Sequence, residues 1–297
     1  MRLLVSKQAL IIVSLLIVLG FGIFVAVSVY EVAPAVKTKS VATPVTSPLH
    51  SVIGKSAGGR AIDAYVYGGG PTHLLFVGGI HGGYEWNSVL LAYQFMDYLK
   101  VNPDFIPKNI SIAVIPSANP DGVFRVTGKE GRFAYSDVST IERILESGRF
   151  NSRDVDINRN FDCNWKPKGI WKSKTVSAGT KVFSEGEAIA IRDFVKEFTP
   201  DGAIFWHSKA SAVYASQCKN GILPKTLEML NTYARASGYN AIKSFDAYEV
   251  SGASEDWLAS IDIPAITVEL STHETVEWER NLAGINAVLA LWDNRAN

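Results

Sequence analysis

The segment His73-Leu74-Leu75-Phe76-Val77-Gly78-Gly79-Ile80-His81-Gly82-Gly83-Tyr84-Glu85 passes from an unbroken apolar run into glycines that flank a histidine and precede a glutamate. A short continuous run of this kind is the pattern of a strand buried on both faces. Three more follow it, Ile110–Ile115 (ISIAVI), Ala203–Trp206 (AIFW) and Ala265–Leu270 (AITVEL). Helical patterns lie between them. Ser88–Lys100 is one. Ser184–Phe198 is another, with Ser184 and Glu187 as a capping box and Ile191, Phe194, Val195 and Phe198 on one stripe. Lys225–Ser237 stops at Gly238, a residue suited to a left-handed helix cap. Strands covered by helices on both faces predict an α/β domain with a mostly parallel central sheet. Ligands of such sheets bind beyond the carboxyl ends of the strands, and His81, Glu85, His207 and Glu269 fall there.

Composition removes several classes. The 297 residues carry 29 Lys+Arg against 29 Asp+Glu, so the basic excess of a nucleic-acid binder is missing. Two cysteines cannot build a disulfide framework. With 47% hydrophobic residues the chain is globular, not disordered.

Ala9–Val29 is an uncharged apolar run, preceded by Arg2 and Lys7. At about 1.5 Å per residue it is long enough for a hydrocarbon core of about 30 Å. The positive flank predicts that the chain beyond residue 30 is exported. The expectation is an uncleaved signal anchor over 1–30, with cleavage near Ala26 and Ser28 as the alternative. Residues 31–48 hold Pro34, Pro44, Pro48 and five Ser/Thr, the composition of an extended tether. Residues 49–297 then form one domain, expected outside the cytoplasm and tied to the membrane through 9–29. No oligomer is implied.

Imidazole and carboxylate ligands suit zinc, and two histidines with one glutamate leave a fourth position for water, the catalytic pattern. A lone strand-end histidine is as readily a satisfied core residue, and Glu85 is as readily a helix-terminal charge. Glu269 is harder to dismiss. A carboxylate closing the run Ile266-Thr267-Val268 costs several kcal/mol if buried unpaired, on the order of the penalty for any orphaned charge.

These residues, with others in order, resemble the zinc metallocarboxypeptidases of the carboxypeptidase A type across essentially all of 49–297. The opening strand Ile53-Gly54-Lys55-Ser56 with Gly59-Arg60-Ala61-Ile62 is similar to the family's, as are Gly79-Ile80-His81-Gly82 and the turn Asn119-Pro120-Asp121-Gly122. Val155-Asp156-Ile157-Asn158-Arg159-Asn160-Phe161, His207-Ser208, Tyr248 with Ser251–Trp257, and Val268-Glu269-Leu270 complete the series. The resemblance implies a mixed, mostly parallel sheet of carboxypeptidase A-like topology and a peptide substrate with a free C-terminus. It departs from the family in one place. Glu85 stands four positions after His81 where three is usual; glycine freedom in the turn, or one helix face, would absorb the extra residue.

On that resemblance His81, Glu85 and His207 hold one Zn2+, and Glu269 is the general acid/base. Arg149 stabilises the oxyanion, with Arg153 and Arg132 as alternatives. Asn158 and Arg159 clamp the terminal carboxylate, for which a planar guanidinium is suited. Tyr248 covers the substrate, on a loop that Ser251 and Gly252 would let move. Cys163 and Cys218 are expected to pair, two isolated thiols being the alternative. Glu255 occupies the position that forms the floor of the terminal side-chain pocket in the family, which predicts a preference for basic or diamino-acid termini. A solvent-facing or lysine-paired Glu255 is the bland alternative. Rival functions are zinc-dependent deacylation of an N-acyl amino acid and an inactive anchored binding module.

Overall fold

A computed structural model describes residues 48–293. The expected anchor 9–29 and the tether, Pro48 excepted, lie outside the described residues. Among those described, no helix is long and apolar enough to cross a membrane.

Eight strands form one sheet, in the order β1 (Leu49–Lys55), β2 (Ala61–Gly68), β4 (Ile110–Ile115), β3 (Thr72–Val77), β7 (Gly202–Ser208), β10 (Ala265–Leu270), β8 (Ala212–Ala215) and β9 (Asn240–Ile242). Its centre, β4-β3-β7-β10, is parallel; β1-β2-β4 and β10-β8 are antiparallel, and β8-β9 is parallel again. The sheet is therefore mixed. β5 (Lys168–Trp171) and β6 (Lys174–Ser177) make a separate hairpin.

The apolar runs are central because both of their faces are covered. Side chains alternate along a strand, so Phe76, Ile112, Ile204, Trp206 and Val268 pack on one face beneath helices α1 (Trp86–Val101), α5 (Pro224–Ser237) and α7 (Trp278–Asp293). Leu75, Val77, Ala113, Phe205 and Ala265 pack on the other, with α4 (Gly186–Phe198) and α6 (Ser254–Ser260). Short helices α2 (Pro120–Thr127) and α3 (Glu142–Ser147) sit near the carboxyl end of the sheet, where the Gly82–Glu85 turn contacts both.

Most element ends follow the sequence pattern. Gly238 takes φ +72° at the end of α5, as a left-handed cap requires. The capping box at Ser184 does not form. The helix begins at Gly186 with Glu185 at the cap and no capping side chain. Ser184 Oγ instead donates to Glu185 Oε1 at 2.8 Å, and Glu187 is buried, accepting from the Ala57 N–H at 3.0 Å. A tertiary partner outcompetes the local cap.

Candidate active site

Gly82, at φ +49°, turns the chain directly after His81, and Gly82–Glu85 form one turn of 3-10 helix before α1. That turn, not an α-helical face, absorbs the extra residue. It sets His81 Nδ1 2.8 Å from Glu85 Oε1. His207 enters from β7, its Nδ1 3.2 Å from His81 Nδ1 and 3.2 Å from Glu85 Oε2. All three residues are buried, and their ligand atoms lie within 4.8 Å of one another. Tetrahedral zinc bound at about 2.0–2.1 Å places neighbouring ligand atoms roughly 3.3 Å apart, so the three spacings suit one ion. Two imidazole nitrogens in such contact cannot both carry hydrogen; they share a proton or a cation. The donor set fits zinc.

The electrostatics ask for positive charge at that point. Burial and then Arg149 hold His81 down to about 4. Burial also opposes charge on His207, but Glu85, Glu255 and Glu269 outweigh it and lift this group to about 9. Burial works against ionised Glu85 too, yet the two imidazoles hold its carboxyl well below the usual range. His81, Glu85 and His207 would hold a metal in place of a proton here, so its binding would depend on pH.

Asp156, fully buried, lies behind His81, with Oδ1 3.8 Å from Nε2. Its Oδ2 accepts from Arg149 Nε at 2.8 Å, and its Oδ1 accepts from the Asn158 N–H at 3.1 Å. Arg149 is 2% exposed, its guanidinium 4.9 Å from the centroid of the Trp171 ring. Nη1 lies 3.9 Å from Glu85 Oε1, and buried Nη2 has no hydrogen-bond partner. The Asn119-Pro120-Asp121-Gly122 turn supports this arginine from its backbone. Asn119 Nδ2 donates to the Arg149 carbonyl at 3.1 Å, and a Cβ on Gly122 would stand 2.1 Å from the Gly148 oxygen. Arg132 and Arg153 go elsewhere. Arg132 makes a two-pronged pair with Asp97, and Arg153 is exposed, 3.7 Å from Glu185. Of the three arginines weighed from the sequence, only Arg149 reaches the site.

Glu269 sits in register beside His207 on the neighbouring parallel strand. Alternation with Ile266 and Val268 turns Thr267 and Glu269 toward the α6 face. Burial and the Glu85 carboxylate push the Glu269 carboxyl up to about 8, while His207 and Arg149 pull the other way. Bound zinc adds to that downward pull.

A cavity of about 400 Å³ opens beside this cluster, lined among others by Arg159, Tyr248, Tyr214, Glu255, Asp256 and Glu269. Buried Arg159 donates from Nη1 to the Asn158 carbonyl at 2.7 Å, and from Nε and Nη2 to the Ile170 carbonyl at 3.3 and 2.9 Å. A guanidinium has five N–H groups, so one on each Nη remains for a ligand. Tyr248 packs on Phe245, ring centroids 4.8 Å apart.

One sequence expectation about this wall needs correction, and one alternative falls away. Gly252 is an anchor, not a hinge. Its N–H donates to the Cys163 carbonyl at 2.7 Å, its carbonyl accepts from the Phe161 N–H at 3.0 Å, and a Cβ there would meet the Arg159 oxygen at 2.3 Å. Glu255 neither faces solvent nor pairs with a lysine. Its Oε1 accepts from Asn158 Nδ2 (3.3 Å) and Thr267 Oγ1 (3.1 Å), and its Oε2 from Ser254 Oγ (2.7 Å). Cys163 and Cys218 form a disulfide that ties the segment after Arg159 to the loop after β8.

The roles of Asp156 and Trp171 escaped the sequence reading. Asp156 lies inside a quoted motif, two residues before Asn158, so its position was visible but its contact with His81 was not. Nothing local marks Trp171, which reaches Arg149 from the β5–β6 hairpin.

A buried His–Glu–His cluster with a carboxylate beside it and a cavity in front has the donor set of a catalytic zinc site. The model of the zinc carboxypeptidase family, peptidase M14, matches residues 44–282, and the chain belongs to that family. Carboxypeptidase B of Helicoverpa zea is 31% identical over 221 residues, covering 66% of this chain and 50% of that protein. Gamma-D-glutamyl-L-diamino acid endopeptidase 1 of Lysinibacillus sphaericus is 22% identical over 245 residues, covering 74% of this chain and 60% of that protein. The chain thus spans about half to three-fifths of these relatives' lengths. Bovine thrombin-activatable fibrinolysis inhibitor, solved in complex with tick carboxypeptidase inhibitor, shares the fold at TM-score 0.66 and 18% identity, over 84% of this chain and 90% of that one.

Proposed function

We propose that this enzyme is a carboxypeptidase that releases the terminal residue of peptides, preferring basic or diamino-acid termini. One observation carries the reading: buried Arg159, with two N–H groups uncommitted, lines the cavity that adjoins the His–Glu–His cluster. A fork of that kind takes a carboxylate through two parallel, charge-assisted hydrogen bonds. With Asn158 it fixes the chain end and sets the scissile bond against the metal ligands.

Held by His81, Glu85 and His207, zinc supplies Lewis acidity toward a water and the scissile carbonyl. Glu269 takes the water's proton and returns it to the leaving amine. The unpartnered Nη2 of Arg149 donates to the oxyanion, and Asp156 and Trp171 hold the guanidinium in place. Tyr248 closes the cavity over the bound terminus. The acidic wall of Glu255 and Asp256 favours a cationic side chain.

The test is release of a C-terminal residue from free-ended peptides but not from their C-terminal amides, lost with chelator and restored by zinc. Equal cleavage of both forms would refute the clamp. A second reading, cleavage within peptides before a diamino acid, draws on the same acidic wall and on the L. sphaericus relative, named a gamma-D-glutamyl-L-diamino acid endopeptidase. We further propose that the domain works outside the cytoplasm, anchored through 9–29. The uncharged run behind Arg2 and Lys7 and the Cys163–Cys218 disulfide support this. Resistance of the domain to protease added to intact cells would refute it.

A further inference from the structure

Strand β5 is four residues long, and its last three touch the two buried arginines of the site. Gly169 lies against the stem of Arg159. A Cβ there would stand 2.7 Å from Cδ, 2.9 Å from Cγ and 3.1 Å from Nε. The Ile170 carbonyl accepts from the same guanidinium, from Nη2 at 2.9 Å and from Nε at 3.3 Å. Buried Trp171 faces the other arginine, its ring centroid 4.9 Å from the Arg149 guanidinium carbon, and meets Tyr84 edge-on at 5.1 Å. Alternation along a strand puts Gly169 and Trp171 on one face, and that face is turned to the arginines.

The hairpin is fastened to the segment that carries the site. The Asp156 N–H donates to the Ser177 carbonyl at 3.0 Å, and Val155 bridges Ser177 in parallel. Asn160 Nδ2 donates to the Ala178 carbonyl at 2.6 Å, and the Ala178 N–H donates to the Pro167 carbonyl at 3.2 Å, closing the base of the hairpin. Gly169 itself pairs with Val176 in the antiparallel ladder. Glycine inside a strand weakens it and gives it no side chain to pack, and it suits places where another group approaches closely. Here that group is the Arg159 stem.

We infer that the β5–β6 hairpin aims both arginines, and that Gly169 is a positioning residue for Arg159. Its missing side chain leaves the channel in which the stem runs. The Ile170 carbonyl then holds one edge of the fork, so that one N–H on each Nη stays turned to a substrate carboxylate. Two positions on, Trp171 sets Arg149 for the oxyanion. The inference rests on the carboxypeptidase reading above, in which Arg159 governs binding of the chain end and Arg149 governs the chemical step.

Gly169→Ala tests it on the zinc-loaded enzyme with a free-ended peptide. Carbon atoms in ordinary contact stand about 3.5–4.0 Å apart, so the new methyl group drives the Arg159 stem aside by roughly 1 Å. A misplacement of that size costs up to about 100-fold. KM should rise about 10–100-fold, with kcat held within about threefold and zinc affinity unchanged in a competition titration. Trp171→Leu should do the reverse, lowering kcat at least about tenfold with KM nearly held. On an Arg159→Ala background, Gly169→Ala should change kcat/KM by less than about twofold, since the group it displaces is gone. Should Gly169→Ala alone lose its fold, Arg159→Ala should restore its Tm for the same reason. An unchanged KM in Gly169→Ala, the same loss with and without the Arg159 side chain, or a fold that Arg159→Ala does not restore overturns the assignment. Loss of kcat and KM alike in both variants would make the hairpin a stabilising element only, and also overturns it. Wild type that cleaves free-ended peptides and their amides equally overturns the carboxypeptidase reading and this inference with it; the results above, in a wild type that needs the free end, overturn this inference alone.

Discussion

Replacing Asp156 with asparagine isolates one charge that serves two neighbours. The side chain keeps its size and one acceptor oxygen, so no cavity opens. What disappears is the negative charge facing Arg149 Nε at 2.8 Å and lying 3.8 Å from His81 Nε2. Breaking a buried ion pair costs about 3–5 kcal/mol when the partner is left uncompensated. Glu85, 3.9 Å from Arg149 Nη1, and the retained acceptor reduce that to about 2–3 kcal/mol in metal-free protein. Zinc adds a second deficit. Loss of a carboxylate behind a ligating histidine weakens metal affinity about 10–100-fold, or roughly 1.4–2.7 kcal/mol. Because bound metal stabilises the folded state through its affinity, the total with saturating zinc should reach about 4–5 kcal/mol. Urea unfolding of both proteins, with excess zinc and with chelator, separates the two parts; a competition titration gives the zinc affinity directly. Equal destabilisation with and without zinc would refute the link through His81. A loss below about 1 kcal/mol in both conditions would refute the buried-pair argument itself.

Glu269→Gln should lower kcat by about 10²–10⁴-fold with zinc affinity unchanged; weakened zinc binding would instead make Glu269 a ligand. Glu85→Ala should weaken zinc binding severely in a spectroscopic titration, and unchanged affinity would remove Glu85 from the site. Burial pushes the Glu187 carboxyl up to about 7, with nearby Asp121 adding to the rise. The unfolded chain ionises first, so this residue costs nothing below about pH 4.5 and costs stability progressively as pH rises toward 7, to about 3 kcal/mol. Glu187→Gln should therefore gain on wild type by about that amount between pH 4 and pH 8 in denaturant unfolding. The same difference at both pH values would defeat this account.

Strand β4 and strand β10 begin and end where the apolar runs do, and Gly238 caps α5 where the periodicity stops. These features are local. A period-two or unbroken apolar pattern, or a residue free to adopt positive φ, acts within a few residues and needs no knowledge of the partner. The residues of the His81–Glu85–His207 cluster were readable for the same reason: each follows or ends a strand, and strand ends of a parallel-centred sheet converge on one edge. Choices between chemically equal candidates were not readable. Arg132, Arg149 and Arg153 are alike along the chain, and only the packing of Gly122 against Gly148, with Asn119 on the Arg149 carbonyl, brings one of them to Glu85. Ser184 and Glu187 form a sound capping box on paper, but Ala57, 130 residues before Glu187, claims the carboxylate. Gly252 looked like a hinge until the Arg159 backbone was found pressed against it. Glu255 is settled in the same way, by donors on Asn158 and Thr267 that its own segment does not supply. Local sequence determined the central strands and the helices Trp86–Val101, Gly186–Phe198 and Pro224–Ser237, and what chemistry stands at their ends. Long-range packing decided which side chain of each kind is buried, partnered or left open, because that energy depends on contacts between segments roughly a hundred residues apart.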